Sequence, residues 1–314
     1  MTGWIRRHGM ALIGGGALLG ILAPPLAEAT RPLLLWVSLA TMALALLRVE
    51  PAALGGVVRR PALALLVLGW VTLGVPLVAY VALAPFLAAD SPFLAAAVLI
   101  AATPSVMSAA VFAILLGADA ALLTLVAIPS NALAPVWLPL TASLMGVSAQ
   151  VDPWAMALRL AVLVGGSFAL AGLALRLVGR ATLRARAPAI DTAIVLLVAS
   201  SAIPCMDGVG AALAARPFGF VAMLGFALAL NLALQALGFL VFRAMPERIF
   251  VASPRQGALS AGLVSGTRNM VLLLAALGDP GDSELGLIVA AAQLSLFVMP
   301  AIVAPAYRAL ARPT

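Results

Sequence analysis

The sequence has no lysine, a single cysteine and a single histidine, and only 9% of its 314 residues are charged. Each shortage closes off a class of chemistry. Cys205 alone makes no internal disulfide, and with His8 as the sole imidazole no Cys/His metal site can be assembled. No histidine lies in any apolar run, and there is no DxxxD pair to hold Mg²⁺. An intramembrane protease or prenyltransferase therefore lacks its catalytic constellation, and the expectation is a non-enzyme without cofactor or metal. The glycines of "LIGGGALLGIL" lack the Lys-Ser/Thr sequel of a phosphate loop and suit close helix packing instead.

What is abundant is apolar: 64% of residues are hydrophobic and mean hydropathy is +1.18, far outside the range of soluble domains. Apolar stretches long enough to cross a hydrocarbon core of about 30 Å recur along the chain. They predict an all-α polytopic membrane protein with ten spans, near 9–27, 33–48, 61–84, 93–117, 120–146, 153–178, 190–211, 217–243, 256–278 and 284–307. The net charge of +7 does not point to nucleic acid, because the arginines sit between spans and on one side. Arginines from Arg6, Arg7, Arg48, Arg59 and Arg60 through the basic loop at Arg176–Arg186 to Arg308 and Arg312 share that side. Arg31 and Arg216 fall on the other, with Glu28, Asp90, Asp152, Asp207, Asp279, Asp282 and Glu284. The positive-inside rule then makes both termini cytoplasmic, with a bacterial inner membrane as the expected location. The N-terminus imitates a signal peptide, with "AEA" at Ala27–Ala29, but cleavage would remove one of the ten spans, so retention is expected. Trp4, Trp36, Trp70 and Trp154 read as interfacial anchors.

Two spans are faulted at their centres. "GLVSGTRNMVLLLAALG" carries Ser265, Gly266, Thr267, Arg268 and Asn269 between apolar flanks, and an arginine at that depth costs about 2.5–3.5 kcal/mol. "FLAAAVLIAATPSVMSAAVFAILLG" is interrupted by Thr103, Pro104, Ser105 and Ser108. Twelve residues separate Ser105 from Gly117 and Gly266 from Gly278, and each glycine opens an aspartate-bearing turn. Each turn leads into a proline-containing span with a central amide, Asn131 or Gln293. The fourth and ninth spans cross in opposite directions, which predicts two inverted five-span repeats, 1–150 and 151–314. Paired broken helices at matching positions point to a transporter's midplane site, because freed N–H and C=O groups survive only where protein, water or solute completes them. Asn231 and Gln235 share a helix face and suit an interhelical hydrogen bond. Ser200, Ser201 and Thr192 read as packing or capping groups, and Arg159 as reaching the outer interface or pairing with Asp152.

In length, span number and paired breaks the chain resembles the bile acid:sodium symporter family and its wider superfamily. The residues that carry the resemblance are "GTRN" at Gly266–Asn269, similar to that family's G-M-Q-N or G-x-R-N crossing, and "TPSVMSAAVFAILLGADAALLTLVAIPSNALAPVWLPL", similar to its P-G-G-T-A-S-N segment and the following span. The resemblance implies a core domain of spans 3–5 and 8–10, a panel domain of spans 1–2 and 6–7, a substrate cavity between them, and alternating access. From the paired breaks, substrate is expected near Pro104, Ser105, Ser108, Ser265, Thr267, Arg268, Asn269 and Gln293. Sodium-coupled members use an asparagine in the first break and a glutamate in the second; here those positions hold Ala109 or Ala110, and Val264. Arg268 replaces the family's glutamine, and a fixed guanidinium beside a Na⁺ site repels the ion. Sodium coupling is thereby argued against, and the arginine favours a small organic anion. Two options stay open: a residual Na⁺ site from carbonyls with Ser108, Thr124, Asn131 and Ser265, or a facilitator without a coupling ion. Proton coupling lacks a buried carboxylate. The alternative is another ten-span inverted-repeat carrier, auxin-efflux-like or of the drug/metabolite type. The expected partners are the solute and the bilayer.

Overall fold

The computed structural model describes residues 4–5, 8–49, 61–107, 113, 116–147, 151–250, 253–278 and 283–311. Ser108, Ala109, Ala110, Arg6, Arg7, Arg59, Arg60, Arg312, Asp279 and Asp282, all used in the sequence argument, lie outside them. The protein is all-helical. Among the described residues, six helices are long and apolar enough to cross a membrane: α2 (Pro24–Leu47), α3 (Ala62–Leu83), α5 (Ala120–Leu144), α6 (Pro153–Val178), α7 (Ala187–Met206) and α8 (Pro217–Arg243). They make this a multi-pass integral membrane protein. Two shorter apolar helices are α1 (Gly9–Leu22) and α4 (Pro92–Ala102). α9 (Pro254–Gly266) and α10 (Met270–Leu277) flank the second fault, and the last helix, α11 (Glu284–Ala311), bends by 52° between Glu284–Met299 and Ile302–Leu310.

The first helix boundary differs from the sequence expectation. It falls at Ala23 (φ −123°, ψ 69°) rather than across residues 27–33, because a residue before proline is pushed out of the α region and Pro24 follows. Pro32 causes no such break, being accommodated in a 3₁₀ turn, Arg31–Leu33, within α2. Arg31 is consequently not a loop residue. It is buried within α2 and paired with Asp207 at 3.1 Å. Asp152 is not Arg159's partner either: its carboxylate caps α6 by accepting from the Trp154 and Ala155 amides. Asp119 caps α5 in the same way.

The chain divides into two compact units. The first comprises Met1–Val49, Asp152–Leu224 and Met270–Phe297; the second comprises Glu50–Val151, Gly225–Asn269 and Val298–Thr314. In the first unit α7 packs on α1 and α2, and α6 packs on α2, where Ser167 donates to the Leu39 carbonyl at 2.9 Å. Arg48 and Asp191 join α2 to α7 at 2.6 Å. Leu158, Leu170, Leu173 and Leu177 of α6 point outward, as residues facing lipid do. The second unit has a continuous apolar core in which Leu63, Val67, Leu122, Val126, Phe242, Leu259 and Val303 meet. Short helices α4 and α9 of this unit are buried on all sides, α4 from Leu94 to Ala102 and α9 from Gly257 to Gly266. Interrupted backbone is thus kept from lipid by surrounding helices.

The glycine run of α1 is a packing surface. A Cβ on Gly16 would overlap the Ala199 carbonyl and one on Gly20 the Ile203 carbonyl, whereas Gly14 and Gly15 face open space. Gly16→Val should therefore lower stability by about 1–3 kcal/mol, while Gly15→Val is tolerated, as read by thermal unfolding of the purified protein in detergent.

Candidate functional site

The site is the place in the second unit where the two broken segments meet. Pro104 disfavours a helical Thr103, which takes φ −62° and ψ 138° and ends α4. At the other break, α9 ends on Gly266 and Thr267 has φ −80°, ψ 78°. Each threonine turns its hydroxyl back on its own helix, Thr103 to the Leu99 carbonyl at 2.6 Å and Thr267 to the Leu263 carbonyl at 2.8 Å. The extended segments then pair. Ser105 and Arg268 form an antiparallel bridge, flanked by Val106 N–H to Thr267 C=O at 3.2 Å and Asn269 N–H to Pro104 C=O at 2.9 Å. This is a two-bond fragment of β-ladder inside a helical protein. The Ser105 hydroxyl adds a third link, donating to the Thr267 carbonyl at 3.0 Å.

Further groups complete the crossing. Asn131 of α5 donates to the Ser105 carbonyl at 2.9 Å and to its own helix at the Ala127 carbonyl. Asn231 of α8 donates to the Gly266 carbonyl at 2.9 Å; Gln235 donates to the Asn231 side chain, and Tyr307 donates to Gln235. The amide pair thus makes an interhelical bond, and its target is the last carbonyl of α9. Glycine is needed there sterically, since a Cβ on Gly266 would press on Asn231 and Gln235.

Arg268 is 1% exposed and, among the described residues, has no carboxylate within ion-pairing distance. Its Nε donates to the Ser265 carbonyl at 2.8 Å and its Nη1 to the Thr103 carbonyl at 3.1 Å and the Val71 carbonyl at 3.4 Å. Three oxygens thus hold two of the three guanidinium nitrogens. One belongs to the helix end at Thr103 and one to the π turn Trp70–Gly74 of α3. Nη2 is buried without a partner among the described residues, and so is Asn131 Oδ1. Each is expensive to leave unmet in a dry site.

Sequence reasoning assigned Trp70 to an interface; instead its indole N–H donates to the Ser265 hydroxyl at 2.9 Å and its ring packs edge-on against Phe242. Gly74 makes this fit, because a Cβ there would strike the indole. Trp70 and the Val71 carbonyl are therefore site components missed from sequence. The structure brings together Pro104, Ser105, Ser265, Thr267, Arg268, Asn269 and Asn131. It does not join Thr124 to them: that hydroxyl is spent on the Ala120 carbonyl. Gln293 is buried in the first unit with its Oε1 unpartnered among the described residues. The sequence matches no protein-family model and no curated protein.

Asn231→Leu removes the donor to the Gly266 carbonyl and leaves Gln235 half-paired. It should cost about 1–3 kcal/mol in thermal unfolding, with Leu232→Ala on the outer face of α8 as a control showing a smaller loss.

Proposed function

We propose that the chain is a ten-span carrier that moves a small organic anion across a bacterial inner membrane by alternating access, with both termini cytoplasmic. The observation that carries this reading is the buried Arg268, a positive charge without a counterion among the described residues, with its Nη2 nitrogen unspent. Burying such a charge is costly, and a transient anionic solute offsets the cost only while bound. An anion bearing an acceptor oxygen suits Nη2. A donor on the same solute, or a water, suits Asn131 Oδ1.

The ten spans in this reading are α1, α2, α3, the broken span begun by α4, α5, α6, α7, α8, the broken pair α9–α10, and α11. Two inverted repeats are supported by a common offset. Gly117 and Gly278 both have positive φ, 76° and 80°, and are as many positions apart as Val106 and Thr267, which are bonded at the centre of the crossing. A pseudo-twofold relation through that bond accounts for both pairs. We further propose that the likeness to bile acid:sodium symporters extends to this architecture but not to sodium coupling. Arg268 already occupies the Ser265, Thr103 and Val71 carbonyls, the kind of oxygen cluster that a coupling cation would use. A fixed charge replaces an exchangeable one.

The test is uptake of a panel of organic anions into proteoliposomes under a sodium gradient, a proton gradient or none. At least one anion should accumulate or equilibrate equally well without sodium. Arg268→Gln should reduce that uptake by about tenfold or more, equivalent to about 1.4 kcal/mol. Uptake unchanged in Arg268→Gln would overturn the assignment.

A further inference from the structure

We propose that the first unit contains a separate binding site for a small monocarboxylate, with Arg159 as its recognition group. The site is a cavity of about 310 Å³, at the small end of ligand pockets, whose wall includes Glu28, Arg31, Leu35, Arg159, Asp207 and Gly278. None of these residues belongs to the crossing, so the inference stands on the first unit alone and does not depend on Arg268.

The two arginines of the wall are in different conditions. Arg31 has every guanidinium nitrogen committed: Nη1 to Asp207 at 3.1 Å, and Nε and Nη2 to the Gly278 carbonyl at 3.4 Å. Arg159 has committed Nη1 alone, to the Leu277 carbonyl at 2.8 Å and the Ala276 carbonyl at 3.4 Å. Its Nε and Nη2 have no partner among the described residues. Those two nitrogens form one of the parallel N–H forks that bind a carboxylate in bidentate fashion.

The fork is held in place. The Arg159 guanidinium lies against Gly278, where an added Cβ would overlap its Cζ, Nη1 and Nη2 atoms. Gly278 also has φ +80°, a conformation that side chains disfavour. A planar cation clamped between the end of α10 and a cavity, with half its donors open, is more than a helix cap requires. Capping the last carbonyls of α10 uses Nη1 and leaves the fork to spare.

The wall also sets the class of ligand. Asp207 is neutralised by Arg31, whereas Glu28 is without an ion pair among the described residues and adds a negative charge to the wall. One carboxylate is accepted by the fork; a second is repelled by Glu28. Apolar wall such as Leu35 suits an apolar body on the solute.

The experiment is calorimetric titration of the purified full-length protein in detergent with benzoate, its neutral isostere benzamide and the dianion phthalate. Benzoate should bind, with benzamide and phthalate at least tenfold weaker. Arg159→Lys, which keeps the charge and loses the fork, should weaken benzoate about tenfold. Leu35→Trp, which fills the cavity with both guanidinium groups intact, should abolish that binding. The Arg159-dependent binding should persist in Arg268→Gln, whose loss of uptake tests the other reading separately. Equal binding of benzoate and benzamide would overturn the proposal. So would wild-type affinity in Arg159→Lys, or benzoate binding lost only in Arg268→Gln.

Discussion

Hydrocarbon offers no hydrogen bonds, and the second unit is organised around that fact. A helix stopped in mid-membrane strands several N–H and C=O groups, each costing kilocalories if left bare. Here two stopped helices supply each other: the Thr267 carbonyl receives Val106 N–H and the Ser105 hydroxyl, and the Pro104 carbonyl receives Asn269 N–H. The groups that remain draw in amides from α5 and α8, a guanidinium and, through Gln235, the Tyr307 hydroxyl. Removing polarity from the fault would not simplify it, because the backbone would still need partners.

How much of this could be read in the sequence follows from the range of each signal. The two faults were legible because polar residues stand out in apolar runs, and because Pro104 acts on its immediate neighbour Thr103. Their pairing was legible from the repeated spacing to Gly117 and Gly278. The acceptors of Arg268 were not, since Val71 contributes a carbonyl and a carbonyl has no letter of its own. Trp70 misled for a related reason: a tryptophan in an apolar run reads as an anchor, and only Gly74, four residues on, hints that the ring folds inward. Arg31 misled because it fell in the gap between the first two expected spans, whereas a 3₁₀ turn carries Pro32 without interrupting the helix.

Charge placement divides along the same line. Arg48 and Asp191 pair at about one-third exposure, where ion pairs contribute little. Arg31 and Asp207 pair when nearly buried, where geometry matters far more. Arg268 is the extreme case, solvated wholly by backbone dipoles among the described residues. A guanidinium suits that role because it is planar, more weakly hydrated than ammonium, and able to address several carbonyls at once.

The crossing also constrains how the protein is made. The Ser105 hydroxyl finds its acceptor 162 residues further along the chain. At typical synthesis rates the ribosome needs roughly 10–30 s to cover that distance. Throughout that interval the Ser105 hydroxyl and the Val106 N–H lack the Thr267 carbonyl that they share in the finished structure. Closure of the crossing is therefore a late step in the making of the protein, since both segments must exist before it can form.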